Sequence, residues 1–388
     1  MSISWGNLSV RVYAADAWVS LAPRFAEERP EIVDQIEAIL EDVEPAVRLQ
    51  AAQNLQVICK TAPDRMWEMG ARIAAGEADD EVLIAYLNRS LRRFSHAEPE
   101  RCEAILTTAK GRLDEFAPKE GARDRLQECL GGWAAQLDAG QGRPLARAWL
   151  EEWSADPEQF QDALNAYTSC LRGTFFSRYA ADAEQGNRDM CDRAQEGLAT
   201  ILRPALASSA TNYATLMSDA TDEEKKAAGK RYSAAEHVVH HAMNQLYFGA
   251  GARADDMEEG PGLNNSAAKA RFLADYAEIL ALLQQSREPA TLHHLIELYE
   301  RLIPGDPVVV FEAVHAILTG IGAEEGYQFE SLGSTAVVKV VKRYIADHRG
   351  IFDDAARRAM LVEILQLFSE VGWTDAIRLL YDLPDLLR

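Results

Sequence analysis

All-α is the fold class this sequence predicts, and three observations carry it. Apolar residues recur at helical spacing almost throughout, strand-like alternation is nearly absent, and Pro and Gly fall mostly between the apolar segments. In chain order, Ile32, Ile36, Ile39 and Leu40 form one stripe, Leu292, Leu295, Ile296, Tyr299, Leu302 and Ile303 a second, and Met360, Leu361, Ile364, Leu365 and Phe368 a third. The β-branched run "TAVVKVVKRYI" also fits a helix, because Val337, Val340, Val341 and Tyr344 share a face with Lys339, Lys342 and Arg343 between them. Punctuation at "EERPE", "TAPDR", "HAEPE", "FAPKEG", "DAGQGRP", "SADPE", "REPA" and "IPGDP" predicts short helices joined by short loops.

The helices echo one another. Aligning Val10 with Val47, an offset of 37, places Arg11 on Arg48, Ala14 on Ala51, Ala15 on Ala52 and Trp18 on Leu55. Positions 47, 51 and 55 make one stripe, and its small alanines allow a neighbouring helix to approach closely. "GDPVVVFEAVHAIL" puts Asp306 and Pro307 where Glu44 and Pro45 stand, with Val309, Ala313 and Ile317 on positions 47, 51 and 55; "DDEVLIAYLNRSL" is a weaker copy centred on Val82. An acid followed by proline starts a helix, since proline at the first position forfeits no hydrogen bond and the carboxylate sits at the positive end of the dipole.

These residues resemble HEAT repeats, helical hairpins of roughly 40 residues. Asp42 and Arg48 fit the pattern of such a repeat, while Val310 replaces the arginine in the third copy and Trp5 stands in the aspartate position of the first. The resemblance covers residues 1 to about 115 and about 290 to 388, and implies an α-solenoid of stacked helical hairpins. The acidic, Gly-rich stretch from Phe248 to Ser266 reads as a loop separating an N-terminal array, residues 1–247, from a C-terminal array, residues 267–388. The first unit begins at Leu8 with what reads as the second helix of a hairpin and no polar cap, so its N-terminal face is expected to pair with another chain or a missing segment.

The last hundred residues, "LHHLIELYERLIPGDPVVVFEAVHAIL" through "VGWTDAIRLLYDLPDLLR", are similar to the C-terminal ends of large bacterial proteins. Some of those relatives carry a signal-transducing NTPase domain nearer their N-termini and are linked to anti-phage defence. The resemblance implies a helical sensor or scaffold attached to an effector elsewhere.

Charge and motif content narrow the function. Forty Lys and Arg against 61 Asp and Glu give −21, which repels nucleic-acid phosphates. Five scattered cysteines (Cys59, Cys102, Cys129, Cys170, Cys191), no signal-like N-terminus and no membrane-length apolar run predict a cytoplasmic protein with reduced thiols. P-loop, GxGxxG, GxSxG and HExxH patterns are all missing, so neither catalysis nor a cofactor is expected.

The strongest chemical cluster is "EHVVHH": Glu236, His237, His240 and His241 stand at i, i+3, i+4 spacings suited to a metal ion, with Asp255, Asp256, Glu258 and Glu259 following. A solvated helix face is the plain alternative, and no metal is expected. His293 and His294 are adjacent and point to different faces. Arg89, Arg92 and Arg93, and Lys339, Lys342 and Arg343, are candidate docking patches for an acidic protein partner. Trp133, Trp149 and Trp153 are read as core packing between hairpins, with an exposed protein-binding anchor as the alternative. The function that follows is a non-catalytic protein-binding module, the sensor or scaffold part of a larger bacterial signalling or defence protein. The alternatives are a metal-dependent hydrolase centred on "EHVVHH" and a regulatory target cut by a partner protease in the Phe248 to Ser266 loop.

Overall fold

A computed structural model describes residues 9–180, 184–252 and 263–386. No β-strand occurs among the described residues, and the chain is all-α. Two compact units divide between Leu137 and Asp138.

The first unit contains α1 (Val10–Phe25), α2 (Glu31–Leu40), α3 (Pro45–Ala52), α4 (Pro63–Gly76), α5 (Asp80–Ala85), α6 (Pro99–Lys110) and α7 (Ala122–Ala135). The odd-numbered helices contact one another in succession, α1 on α3, α3 on α5 and α5 on α7. The even-numbered ones form a second layer: α4 packs on α6, and Arg65 of α4 bonds Asp34 and Glu37 of α2. Polar bonds tie α1, α2, α3, α4, α5 and α7 to segments 28 to 45 residues away in sequence. Arg48 of α3 grips the buried Glu77 through Nε and Nη2, at 2.8 and 2.6 Å. Arg112 donates to the carbonyls of Ala74 and Glu77, both at 2.8 Å, and so satisfies the open C-terminus of α4. Asp80 is wholly buried between Lys119 and Arg125; burial alone would raise its carboxyl, but hydrogen bonds from those two cations hold it below the usual range.

The second unit contains α8 (Pro144–Ala155), α9 (Pro157–Cys170), α10 (Gln185–Leu216), α11 (Asp222–Gly249), α12 (Ser266–Asp275), α13 (Ala277–Leu283), α14 (Pro289–Leu302), α15 (Pro307–Thr319), α16 (Ile321–Glu324), α17 (Ser331–Asp347), α18 (Ala355–Glu370) and α19 (Thr374–Leu386). The long pair α10 and α11 is its centre. Helices α8 and α13 lie against α10, helices α9 and α14 against α11, and beyond them α17 packs on α14 and α18 on α15. Gly197 allows α10 to pass directly over the Tyr167 hydroxyl, which donates to Asp138 at 2.6 Å; a Cβ there would collide with the phenol.

Proline does mark the helix starts. It is the first residue of α3, α4, α6, α8, α9, α14 and α15. Asp306 caps α15 by accepting from the amides of Val308 and Val309, and Asp79 caps α5 in the same way. Thr221 and Glu224 form a reciprocal capping box at α11.

Two expectations need correction. The stripe aligned through Val10, Ala14 and Trp18 is not the buried one in α1, where Ala15, Val19 and Ala22 face the core and Val10 and Ala14 face solvent. In α15 the buried face is Val310, Phe311, Val314, Ile317 and Leu318, and Val309 is half exposed. Alanine and valine runs are apolar over several adjacent positions, so alignment by composition leaves the rotation about the helix axis open by one residue. The stretch at residues 248–266 lies between α11 and α12, and α11 packs on α14 beyond it. Phe248 and Gly249 complete α11, Ser266 opens α12, and Asp255, Asp256, Glu258 and Glu259 lie outside the described residues.

Among the described residues, one 18-residue window, Pro307–Glu324, is long and apolar enough to cross a membrane. Gly320 leaves helical geometry (φ −96°, ψ −118°) and divides it into α15 and α16, and Val310, Phe311, Val314, Ile317 and Leu318 of α15 are buried in the core.

Ala51 is completely buried where α3 meets its neighbours. Replacing it with Trp overpacks that contact and is expected to cost roughly 1 to 3 kcal/mol or more, read as a fall in the urea midpoint.

Candidate functional site

Helix α11 carries all four residues of the "EHVVHH" cluster, and the structure sends them in four directions. Glu236 is buried; its carboxylate accepts from the hydroxyls of Ser209 (2.5 Å) on α10 and Ser286 (2.6 Å), and from the Arg287 amide (3.3 Å). His237 is exposed. His240 places Nδ1 3.1 Å from Thr291 Oγ1 on α14, and His241 places Nε2 2.8 Å from Ser169 Oγ on α9. These residues therefore join α11 to three of its neighbours rather than converge on one point. Among the described residues no group of three or more His, Cys, Asp or Glu is arranged to hold a metal ion. Spacing along one helix brings side chains near each other, but the hydrogen-bond partners on facing helices decide where each points.

The histidines build a seam between α11 and α14. His294 lies on Tyr247 with ring centroids 4.3 Å apart and 8° between planes, its other side faces His240 at 5.5 Å, and its Nδ1 is 2.6 Å from Asn244 Oδ1. His293 reaches the other way, to the Tyr327 hydroxyl at 3.2 Å. Burial, reinforced by neighbouring imidazoles, lowers the His294 pKa to about 4; His240 and His241 are lowered by burial first and by His237 second. Neutral, stacked rings are what such a packed interface requires.

Four residues of the two basic clusters bond within the chain. Arg89 donates to Gln53 at 2.7 Å, and Arg92 donates to Gln136 Oε1 and the Gly132 carbonyl while its guanidinium lies over Trp133 at 5.4 Å. Lys339 and Arg343 meet the buried Glu300, Lys339 at 3.2 Å from its carboxylate and Arg343 donating to its carbonyl at 2.9 Å. Arg89, Arg93, Lys339 and Lys342 are nonetheless exposed, and Arg92 and Arg343 are half-buried. Trp133, Trp149 and Trp153 are buried core residues. The thiols of Cys102 and Cys129 are buried and pushed up to about 12, far from nucleophilic.

Sequence reasoning missed two clefts, because each draws charged residues from helices distant along the chain. One, of about 370 Å³ in the first unit, is lined by Leu40, Glu41, Asp42, Arg48, Met69 and Arg72 among others. The other, of about 410 Å³ in the second unit, is lined by Arg147, Asp192, Glu196, Arg203 and Glu278 among others. Each arginine is clasped by carboxylates: Arg72 by Glu37 and Glu41, Arg147 by Asp138 and Glu196, Arg203 by Glu278. Both linings are dominated by paired arginines and carboxylates. Comparison with known proteins returned no match, whether to a protein-family model, a curated protein or a solved structure.

Two outcomes are expected. Folded-state histidine pKa values below the ordinary 6.5 mean that the unfolded chain binds more protons, so their stabilisation is complete above pH 6.5 and lost as pH falls toward about 4. His294 contributes at most about 3 kcal/mol of this swing, and His294→Phe is expected to shrink the difference in urea midpoint between pH 7 and pH 5. Glu236→Ala strands two hydroxyls and an amide beside a cavity and is expected to cost about 2 to 5 kcal/mol, whereas adding zinc or a chelator to the natural chain leaves its melting unchanged.

Proposed function

We propose that this chain is a non-catalytic protein-binding module, an α-solenoid of HEAT-like hairpins that serves as sensor or scaffold in a larger assembly. The observation that carries the reading is the layered arrangement of the first unit, in which α1, α3, α5 and α7 follow one another and polar links reach one neighbour, 28 to 45 residues on. Arrays of this kind act by offering extended surfaces, and small shifts between adjacent pairs transmit the binding event. The dispersed "EHVVHH" side chains and the raised cysteine thiols support binding over chemistry. The resemblance of the last hundred residues to the C-terminal ends of bacterial NTPase-type proteins suggests the setting, a signalling or defence assembly in the cytoplasm.

The first unit's cleft is the preferred contact surface. Arg72 and Glu41 stand at its rim, paired yet about half and two thirds in solvent (52% and 70% of the side chain exposed), so a charged partner segment displaces a weak surface pair rather than a buried one. Arg93 and Lys342 remain as exposed secondary contacts.

Purification of the tagged chain from its native cells, with mass spectrometry of what accompanies it, is expected to recover a stoichiometric protein partner. Arg72→Glu is expected to abolish that recovery while moving stability by no more than ~1 kcal/mol. Recovery of no stoichiometric partner, or hydrolytic turnover that disappears with Glu236→Gln, would overturn the reading.

A further inference from the structure

Three cations meet at the C-terminal end of α14. Arg301 lies in the last turn of that helix, Lys269 comes from α12 and Arg343 from α17, and all three are half-buried. Close packing brings them together. A Cβ at Gly305, one turn beyond Arg301, would fall 2.6 Å from the Ala270 amide nitrogen and 2.9 Å from Lys269 Cβ, so glycine is what lets α12 run against the end of α14. From α17, Arg343 donates Nη1 to the carbonyl of Glu300, the residue next to Arg301, at 2.9 Å.

Like charges gathered this way repel, and the chain does not neutralise them. Burial first, and then Arg301 and Arg343, lower the Lys269 ammonium from its ordinary range; burial and then Arg343 do the same to Arg301. Among the described residues no carboxylate pairs with Lys269 or Arg301, and no protein group accepts from the buried Arg301 Nε. Glu300 stands beside them, but its carboxylate is shared by Lys339 at 3.2 Å and Arg343 at 3.6 Å, one negative charge between two positive ones. On a chain of charge −21, which has acids in excess, a group of cations left short of carboxylates and holding a buried donor without an acceptor points to an anion from outside the chain.

We propose that Lys269, Arg301 and Arg343 bind the phosphoryl group of a small molecule. Charge selects the class: with Glu300 already held by Lys339, three positive charges remain, and a phosphate dianion offsets more of them than a single carboxylate does. Shape agrees, since donors carried by three separate helices suit the several oxygens of a tetrahedral group better than the flat pair of a carboxylate. Size follows from the half-burial of all three side chains and from the acidic field of the whole chain, which disfavours a nucleic acid or another extended polyanion while a small one need only enter locally. The site lies wholly in the second unit and neither requires nor replaces protein binding at the cleft of the first.

The test is isothermal titration calorimetry of the full chain at fixed ionic strength with inorganic phosphate, methyl phosphate and, for comparison, acetate. The expected result is saturable binding of phosphate or its monoester and none of acetate. Arg301→Gln and Lys269→Gln each weaken it ~10-fold or more by removing a charged donor, whereas Lys226→Gln, at an exposed cation of α11, leaves it unchanged. In phosphate-free buffer Lys269→Gln relieves repulsion, so its urea midpoint does not fall and lost binding is not lost folding. Tighter binding of methyl phosphate assigns the site to an organic monoester, and tighter binding of inorganic phosphate assigns it to the free ion. No saturable binding, equal binding of acetate, equal losses in Lys226→Gln and the site variants, or a lowered midpoint in Lys269→Gln would overturn the proposal. A chain that binds phosphate yet recovers no protein partner would leave this site standing, so the two readings fail separately.

Discussion

A helix that ends inside a protein leaves carbonyl groups without partners, and this chain depends on arginine to satisfy them. Arg112 closes the end of α4, Arg92 reaches Gly132 near the end of α7, Arg193 takes the carbonyls of Ala139 and Gly140, and Arg343 takes that of Glu300 near the end of α14. In each case the arginine lies outside the helical segment it closes. One side chain thus completes a helix terminus and fixes the position of its neighbour. Lysine would serve poorly here, since a point charge cannot hold two carbonyls in a fixed plane.

The same use of arginine draws part of the basic clusters into bonds within the chain. Read along the sequence, Arg89, Arg92 and Arg93 resemble a surface cluster; in three dimensions the first two spend their donors on Gln53, Gln136 and Gly132. Carboxylates are drawn inward as well: Asp80, Glu77, Glu236 and Glu300 are all held inside by cations, hydroxyls or amides.

The helical class and most helix starts were legible because they rest on local physics. Proline fixes its own φ and lacks a donor, so "TAPDR", "HAEPE", "GQGRP", "SADPE", "REPA" and "IPGDP" each open a helix wherever the chain goes next. The stripe from Leu292 to Ile303 is buried throughout, and so is the face of α17 from Val337 to Tyr344, because bulky residues there leave a single rotation possible. Where alanine fills two adjacent faces, as in α1, the sequence is nearly indifferent to rotation, and packing partners decide. The candidate site was less legible for the same reason. Which neighbours receive Glu236, His240 and His241 depends on Ser209, Thr291 and Ser169, none of them near in sequence. Both clefts depend on similarly distant juxtapositions.

The short reach of the links in the first unit bears on how such a protein changes over time. Arg48 with Glu77, Arg112 with the end of α4 and Asp80 with Arg125 each tie one pair of helices to the next. A duplication or loss of a whole pair would therefore break only the bonds at the splice and leave every other pair with its partners.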